Sequence, residues 1–362
     1  MVVSISDYIV SPLGLGTRAI YEAVKQGRTR LHCYDGKWGV PQPYAASLFD
    51  EGEVEAAAEG LAPEHTRFER LCILAAHRAL QGADVDVRSP RTLFLLSTTK
   101  GDLLQPLGET AVHIAQWFGN PTMPLVISNA CISGLHALIE AQRVIATGDY
   151  DDVVVIGADL QSKFTVNGFY CLKALSPEPC RPFDEDRMGL NLGDAAACMV
   201  LSSKVSGGRW GLVCGAVRND SYHVSSPSKN AEGYYQALSA VTSGLLPADI
   251  AFVNLHGTAT LYNDEMESVG LTRAGLAEVP VNSLKGYLGH TMGAAGIIET
   301  LLSMRALDEG IVLGTRGFQH QGTSRPLNLS PVHRPVSGTR FIKTISGFGG
   351  GNAAMLFEKI EC

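Results

Sequence analysis

Short apolar runs alternate along the chain with longer segments in which apolar residues recur every three or four positions. The short runs are typical of buried strands, and the longer segments are typical of helices that bury one face. Strands are predicted at residues 5–10, 92–97, 124–128, 152–157, 210–217, 250–255, 341–346 and 353–358, with a hairpin near 194–202. Helices are predicted at residues 17–26, 63–81, 133–147, 232–245 and 293–307. This alternation favours an α/β fold with a parallel-rich sheet.

Two parts of the sequence resemble each other at a nearly constant offset. Residues 192–201 are similar to residues 350–357, about 160 positions later. Cys131 and His290, each of which opens a glycine-containing predicted helix, are separated by nearly the same distance. Self-similarity at a fixed long offset indicates a duplicated fold. We therefore predict two closely packed halves, residues 1–205 with Cys131 and residues 206–362 with His290, which meet near a pseudo-two-fold axis.

Cys131 lies where the predicted strand at 124–128 passes into the predicted helix at 133–147. The free N–H groups and the positive dipole end of a helix N-terminus favour a thiolate. Cys131 is therefore a candidate nucleophile. The alternative is a small buried cysteine that only fills space, which is the commoner role of a single cysteine.

Two histidines in glycine-containing motifs favour the nucleophile. His256 lies in residues 254–260, directly after an apolar run, and His290 lies in residues 282–296, which also contain Lys285. A single histidine is usually structural. Two histidines at strand ends, in a chain that also has a cysteine at a strand end, are better explained as imidazole partners of a nucleophilic cysteine.

Composition narrows the classes of function. The formal net charge of −7 argues against nucleic-acid binding through a broad basic surface. The eight cysteines contain no Cys-x-x-Cys pair, so we expect a reduced, cytoplasmic protein without a metal site. The N-terminal residues lack a charged leader and a long apolar core, and no apolar stretch is long enough to span a bilayer, so membrane insertion is not expected.

Five motifs, in this order, resemble those of the β-ketoacyl synthases of the thiolase superfamily, the condensing enzymes of fatty-acid and polyketide assembly. The motifs are Ala130-Cys131, residues 181–184 with Arg187 and Gly189, residues 256–260 with Asn263 and Asp264, Lys285 with residues 289–291 and 293–296, and residues 347–350 with Asn352. Together they extend over most of the chain. The resemblance implies a thiolase-like α/β fold in which two duplicated halves form five layers, α-β-α-β-α.

The resemblance also implies a decarboxylative Claisen condensation. Cys131 attacks an acyl thioester and holds the acyl group. His256 and His290, as neutral imidazoles, donate hydrogen bonds to the thioester carbonyl of a malonyl group as it loses CO2. Lys285 orients the histidines or shapes the field around them, and Glu299 pairs with Lys285.

Further residues are implied for the oxyanion and for the substrate arm. The backbone N–H groups of Cys131 and Phe348 hold the developing oxyanion. Thr258 and Thr260 resemble the hydroxyls that hold a phosphopantetheine arm, and Ser225 is a weaker third candidate. Thr258 has an alternative role, since a hydroxyl after a strand often only satisfies turn backbone.

The resemblance implies an acyl carrier protein as partner and no cofactor beyond the carrier's phosphopantetheine. Because such carriers are acidic, a local basic patch is expected despite the negative net charge. Its candidates are Arg67, Arg70, Arg181 and Lys163, each of which is also explained as a solvated surface charge. Arg181 has a further alternative as the buried ion-pair partner of Asp184 or Asp186.

Three departures from the family pattern concern the acyl pocket. The chain is shorter than typical elongating members between Lys100 and Pro124, Asn129 stands where threonine is common, and Ile132 stands where a smaller residue is frequent. The resemblance therefore gives no prediction of the acyl chain length that the pocket prefers. Residues 97–101 and 128–131 resemble a bacterial branch associated with aryl-polyene or flexirubin-type pigments.

Other members of the superfamily fit less well. A thiolase needs a second catalytic cysteine in a C-terminal glycine-rich loop, and an initiating ketosynthase needs asparagine in place of His290. The non-enzymatic alternative is a chain-length-factor-like subunit, which pairs with an active ketosynthase and usually lacks the nucleophile. The resemblance predicts a dimer, either of two copies of this chain or with a ketosynthase-like sister chain.

Overall fold

The structure, a computed structural model, describes residues 1–204 and 209–360. The α-helices are α1 Thr17–Lys25, α2 Glu53–Ala57, α3 Arg67–Leu80, α4 Leu107–Trp117, α5 Ser133–Ala146, α6 Lys163–Cys171, α7 Glu232–Thr242, α8 Leu261–Arg273, α9 Lys285–Leu288 and α10 Ala295–Asp308. The strands are β1 Val2–Ser11, β2 Gly14–Leu15, β3 His32–Tyr34, β4 Tyr44–Ser47, β5 Thr92–Ser97, β6 Leu125–Ile127, β7 Asp152–Asp159, β8 Leu192–Gly193, β9 Ala195–Ser202, β10 Trp210–Asn219, β11 Phe252–Asn254, β12 Val281–Asn282, β13 Ile311–Val312, β14 Arg334–Pro335, β15 Arg340–Ser346 and β16 Gly351–Lys359. Short 3-10 helices lie at Lys37–Gly39, Pro247–Asp249 and Met292–Ala294.

Ten of these strands form two sets of five, and the two sets have the same order in the sheet. The order is β1-β9-β7-β5-β6 in the N-terminal half and β10-β16-β15-β11-β12 in the C-terminal half. In each half the first two pairings are antiparallel and the last two are parallel. The halves join where β1 pairs antiparallel with β10, with Val3 opposite Gly211. The repeat in the sequence therefore corresponds to a repeat in topology.

The fold is layered because the strands bury apolar side chains on both faces of the sheet. Successive strand side chains point to opposite faces, and in β7 Val153 and Val155 pack into a central core while Val154 and Ile156 pack into an outer one. The central core holds α5 and α10 between the two sets of strands. Helices α3 and α4 cover the outer face of the first half, and α7 and α8 cover that of the second. The result is an α-β-α-β-α arrangement.

The two central helices approach each other at glycines. A Cβ atom added to Gly296 would lie 2.3 Å from the backbone nitrogen of Leu135, and one added to Gly134 would lie 2.7 Å from the carbonyl oxygen of Gly293. Real Cβ atoms essentially never make contacts this short. The glycines therefore set the distance between the start of α5, which follows Cys131, and the start of α10, which follows His290.

Some predicted elements differ from the structure. The hairpin expected near 194–202 is a single strand, β9, which pairs with both β1 and β7. Helix α3 begins at Arg67, later than expected, because Thr66 and Glu69 form a capping box at its N-terminus. The predicted boundary between residues 205 and 206 lies outside the described residues. Among residues 1–204 and 209–360, no helix has the length and hydrophobicity needed to cross a membrane.

Candidate active site

Three buried side chains from separate parts of the chain converge between the two halves. Cys131 follows β6, His256 follows β11, and His290 lies between α9 and α10. The sulfur of Cys131 and one ring nitrogen of each histidine all lie within 4.8 Å of one another. The two imidazole rings are nearly perpendicular, with centroids 5.0 Å apart. Over the described ranges, this is the single group of three such ligand-type side chains close enough to hold a metal ion.

A tight turn presents Cys131 at the N-terminus of α5. Ala130 has φ 45°, in the left-handed region that alanine rarely adopts. The Ser133 hydroxyl donates to the Ala130 carbonyl at 2.6 Å and accepts from the Asn129 N–H at 2.8 Å, which holds the turn in place. A backbone strained in this way persists only where several surrounding contacts hold it in place.

The thiol of Cys131 is not intrinsically acidic, contrary to the sequence-based expectation. Burial raises its pKa to about 11. The Lys285 ammonium and the backbone N–H groups of Phe348 and Cys131 act in the opposite direction. The expected stabilisation of the thiolate by N–H groups is therefore present, but desolvation of a nearly fully buried sulfur outweighs it.

Acidic side chains hold the loop that carries His256. The N–H of His256 donates to Glu267 Oε1 at 2.8 Å, and the N–H of Gly257 donates to Glu267 Oε2 at 2.7 Å. Asp264 accepts from the N–H of Thr258 at 3.0 Å. Glu267 and Asp264 therefore fix the main chain on both sides of the imidazole, and neither had been assigned a role from sequence, although Asp264 belongs to a quoted motif.

The hydrogen bonds of His290 define its tautomer. Its Nδ1 accepts from the Met292 N–H at 3.3 Å, so the proton of the neutral ring is on Nε2. Nε2 is buried and has no hydrogen-bond partner among the residues described. The backbone of His290 is held by Asn191 and Gly193. The Nε2–H group of His290 is therefore available to donate a hydrogen bond within the site.

Both imidazoles are neutral. Burial lowers the pKa of His256 and of His290 well below the ordinary value, and the positive charges of Lys285 and Lys343 lower it further. A neutral imidazole with a free N–H donates a hydrogen bond without needing to lose a proton.

Beneath the histidines, two buried lysines share one carboxylate. Lys285 pairs with Glu299 Oε1, and Lys343 Nζ lies 2.6 Å from Glu299 Oε2. Sequence analysis had paired Glu299 with Lys285 and missed Lys343. A signal was present, since Lys343 is a charged residue within the apolar strand-like run at 341–346.

Asp159 is a second residue that sequence analysis missed. It ends β7, is fully buried, and accepts from the N–H of Gly293 at 2.7 Å, from Thr98 and Thr99, and from Lys100 Nζ at 3.0 Å. It therefore ties the turn after His290 to the N-terminal half. Its negative charge also contributes to raising the pKa of Cys131, and Lys100 is the ion-pair partner of Asp159.

The loop between β15 and β16 places Phe348 beside the sulfur. Ser346 donates to Asn352 at 2.7 Å, and Asn352 donates to the Gly350 carbonyl at 2.9 Å, which closes the loop internally. Gly350 has φ 80°, and a Cβ there would lie 2.0 Å from the Asp220 carbonyl oxygen. The loop backbone is therefore fixed, whereas the Phe348 ring is 37% exposed and packs 5.8 Å from the Phe169 ring.

A cavity of about 320 Å³ leads from the surface to Cys131. Thr258, Thr260 and Ser225 all line it, and the hydroxyls of Thr258 and Thr260 lie 2.8 Å apart. Ser225 is exposed on the outer wall beside His223. The structure therefore places the three proposed arm-binding hydroxyls along one passage.

The proposed carrier-binding arginines lie outside this passage. Arg67 pairs with Glu55 at 3.4 Å, and Arg70 donates to the carbonyls of Glu55 and Ala58. Arg181 is 40% exposed and pairs with Glu178 and Asp186, so the alternative of a buried ion pair was wrong. The exposed cation that lines the cavity is Lys173, which sequence analysis did not single out.

Comparison with known families identifies the chain. The N-terminal domain of β-ketoacyl synthases matches residues 108–207, and the C-terminal domain matches residues 212–319. Together these segments span more than half of the chain, which therefore belongs to the β-ketoacyl synthase family. The family predicted from the motifs is confirmed.

Individual relatives agree with this assignment. The 3-oxoacyl-[acyl-carrier-protein] synthase 2 of Vibrio cholerae is 36% identical over 257 residues, which cover 65% of this chain and 62% of that protein. The chain thus spans less than two thirds of that relative in the match. Nodulation protein E of Rhizobium leguminosarum bv. trifolii is 25% identical, with 96% of each protein covered.

Solved structures confirm the predicted fold class. The ishigamide ketosynthase/chain length factor superposes with a TM-score of 0.90 at 22% identity, covering 99% of each chain. A β-ketoacyl synthase from Burkholderia phymatum superposes with a TM-score of 0.86 at 23% identity, again covering 99% of each chain. The predicted thiolase-like fold class is therefore confirmed over nearly the full length of the chain.

Proposed function

We propose that the protein catalyses the decarboxylative condensation of a Cys131-bound acyl chain with malonyl-acyl carrier protein, giving 3-oxoacyl-acyl carrier protein. The observation that carries the proposal is the buried Cys131–His256–His290 group, in which both imidazoles are neutral. The pathway is fatty-acid or polyketide synthesis, including the aryl-polyene type suggested by residues 97–101 and 128–131.

In the first half-reaction, Cys131 takes the acyl group from its carrier. The sulfur forms a bond to the thioester carbonyl carbon, and the carrier thiol leaves with the proton that Cys131 gives up. The N–H groups of Cys131 and Phe348 stabilise the tetrahedral oxyanion. Because the pKa of the free thiol is raised to about 11, proton removal accompanies attack and does not precede it.

In the second half-reaction, the malonyl carrier takes the place of the first carrier. The bond between its α-carbon and carboxylate breaks, CO2 leaves, and the electron pair becomes an enolate. His290 Nε2–H and His256 donate to the enolate oxygen. The enolate carbon then attacks the acyl carbon, and the bond to the Cys131 sulfur breaks. The sulfur leaves as a thiolate and takes a proton from solvent, which restores the thiol because its pKa is raised to about 11.

The cavity supplies a route for the carrier's phosphopantetheine arm. Thr258 and Thr260 line the passage and offer paired hydroxyls for its amides, and Ser225 does so nearer the surface. Lys173 at the mouth, together with Arg67, Arg70 and Arg181 further away, offers positive charge to an acidic carrier. No cofactor beyond the arm takes part in this scheme.

The protein acts as a dimer through the edge strand β6. This strand is the last in its half of the sheet, and an unpaired edge with apolar side chains favours pairing with another chain. Met123 is 74% exposed and Leu125 is 41% exposed. The partner is a second copy or a ketosynthase-like sister chain, as in the solved ketosynthase/chain length factor assemblies.

The experiment follows the two half-reactions separately. Acyl transfer to Cys131 is measured by intact mass, and CO2 release from malonyl carrier is measured by a coupled assay. We expect His256→Ala and His290→Ala to form the acyl-enzyme slowly and to lose decarboxylation by about 10²- to 10³-fold each, with a double loss below the product. His32→Ala, at an exposed histidine, is the matched control.

Two outcomes contradict the proposal. Normal decarboxylation and condensation by both histidine variants would make the histidines structural. If the wild-type protein forms no acyl-enzyme at Cys131, either by itself or together with a ketosynthase-like sister chain, the non-catalytic chain-length-factor-like role would replace the proposed one.

A further inference from the structure

Lys343 is a charged side chain in the middle of a central strand, and it has no exposed surface. A lysine at such a position normally costs stability because its ammonium leaves water. Replacement of a buried ion pair by apolar residues is often neutral or stabilising. The position of Lys343 therefore calls for a role other than strengthening the fold.

Three oxygen atoms surround the Lys343 ammonium. It donates hydrogen bonds to the Thr344 carbonyl at 2.8 Å and to the Leu255 carbonyl at 3.2 Å, and it forms an ion pair with Glu299 Oε2 at 2.6 Å. The Leu255 carbonyl belongs to the residue directly before His256. Lys343 thus holds one side of the His256 main chain, and Glu267 holds the other through two N–H groups.

The same ammonium fixes Glu299, whose other oxygen holds Lys285. The buried charges that face Lys343 come from three helices: Glu299 on α10, Lys285 on α9 and Glu267 on α8. The carboxylates of Glu299 and Glu267 equal the two lysine charges in number. Burial is the largest cause that lowers the pKa of both histidines, and the positive charges of Lys285 and Lys343 lower it further.

We infer that Lys343 is a positioning residue for the decarboxylation half-reaction, which holds the Leu255–His256 peptide and Glu299 in place. This role rests on the proposed function. It does not include contact with the substrate, because Lys343 is fully enclosed. The acyl-transfer half-reaction, which depends on the backbone donors at Cys131 and Phe348, is largely independent of it.

The test uses Lys343→Met, which keeps the length of the side chain and removes its charge, and Lys343→Arg, which keeps a charge. Lys359→Met, at a partly exposed lysine paired with Asp308 at 3.4 Å, is the control. For Lys343→Met we expect a loss on the order of 10² in the turnover number for decarboxylation, with KM for malonyl carrier within about threefold of wild type. Acyl-enzyme should form at a rate within about threefold of wild type.

The pH profile separates this role from a structural one. Without the Lys343 charge, protonation of the histidines becomes easier, so the acid limb of the decarboxylation profile should move to higher pH. Lys343→Arg should retain the wild-type limb. A Lys343→Met protein with wild-type turnover and an unmoved acid limb overturns the inference, whereas a wild-type protein that does not decarboxylate overturns the proposed function itself.

Histidine NMR on the wild-type protein covers the case in which Lys343→Met does not fold. Each imidazole should gain its proton only below the ordinary histidine pKa, because burial and the lysine charges lower the pKa of both. An imidazole of His256 or His290 that gains a proton near the ordinary pKa would also overturn the inference.

Discussion

Gly296→Ala tests whether the contact between the central helices controls the active site. The added methyl group would lie 2.3 Å from the Leu135 nitrogen, 2.9 Å from the Gly134 carbonyl carbon and 3.0 Å from the Leu135 Cα. All three atoms are backbone, so no side-chain rotation relieves the clash. Helix α10 must move away from α5.

The size of the effect follows from these distances. Ordinary van der Waals contact begins at 3.4 Å, so the helices must separate by about 1.1 Å at this point. Overpacking of this kind typically costs about 1–3 kcal/mol of unfolding free energy. Because α5 follows Cys131 and α10 follows His290, the same movement separates the reactive groups, and a misplacement of about 1 Å costs on the order of 10² in rate.

Urea unfolding measures the first quantity, and condensation turnover at a temperature where the variant is folded measures the second. Gly168→Ala in α6 is the control, because a Cβ there meets no atom within 4 Å. The control should keep its activity and change stability by no more than about 1 kcal/mol. A Gly296→Ala protein with unfolding free energy and turnover equal to wild type would refute this account of the helix contact.

Two further predictions concern the thiol and the dimer. Alkylation of Cys131 by iodoacetamide should accelerate about tenfold for each pH unit between about pH 7 and 9, because only the thiolate reacts and the pKa of the thiol is raised to about 11. Peptide mapping measures this rate, with the exposed Cys33 and Cys171 as references. A rate that levels off below pH 9 would mean that the thiol is far more acidic. If the protein forms the proposed dimer, replacing both Met123 and Leu125 by Lys should give a monomer in sedimentation. Leu246→Lys, at a residue 68% exposed outside β6, should leave the dimer intact, and a dimer that survives the double change would place the interface elsewhere.

The sequence was sufficient for the fold because its signals are local and repeated. Apolar periodicity located the long strands and five of the ten α-helices in the described residues, but it missed most of the short strands. The similarity of residues 192–201 to 350–357 predicted two halves. The two-fold strand order is the structural counterpart of that similarity. Glycine-containing motifs marked Cys131, His256 and His290, since backbone must approach closely around reacting atoms.

Residues that act through the tertiary structure were not predictable in the same way. Lys343 and Asp159 reach the site from β15 and β7, and nothing in their local sequence shows which carboxylate, carbonyl or amide each one meets. The acidity of Cys131 was misjudged for a similar reason. Its helix N-terminus is visible in the sequence, but the burial that outweighs this effect arises only in the folded chain.

Phe348 divides two tasks between its main chain and its side chain. The N–H that faces Cys131 belongs to the backbone, and Gly350 holds that backbone where a Cβ atom would lie 2.0 Å from the Asp220 carbonyl oxygen. The ring lies at the cavity wall. Under the proposed function, a different residue at position 348 would therefore change the wall of the cavity that leads to Cys131 while its backbone N–H remained available as an oxyanion donor.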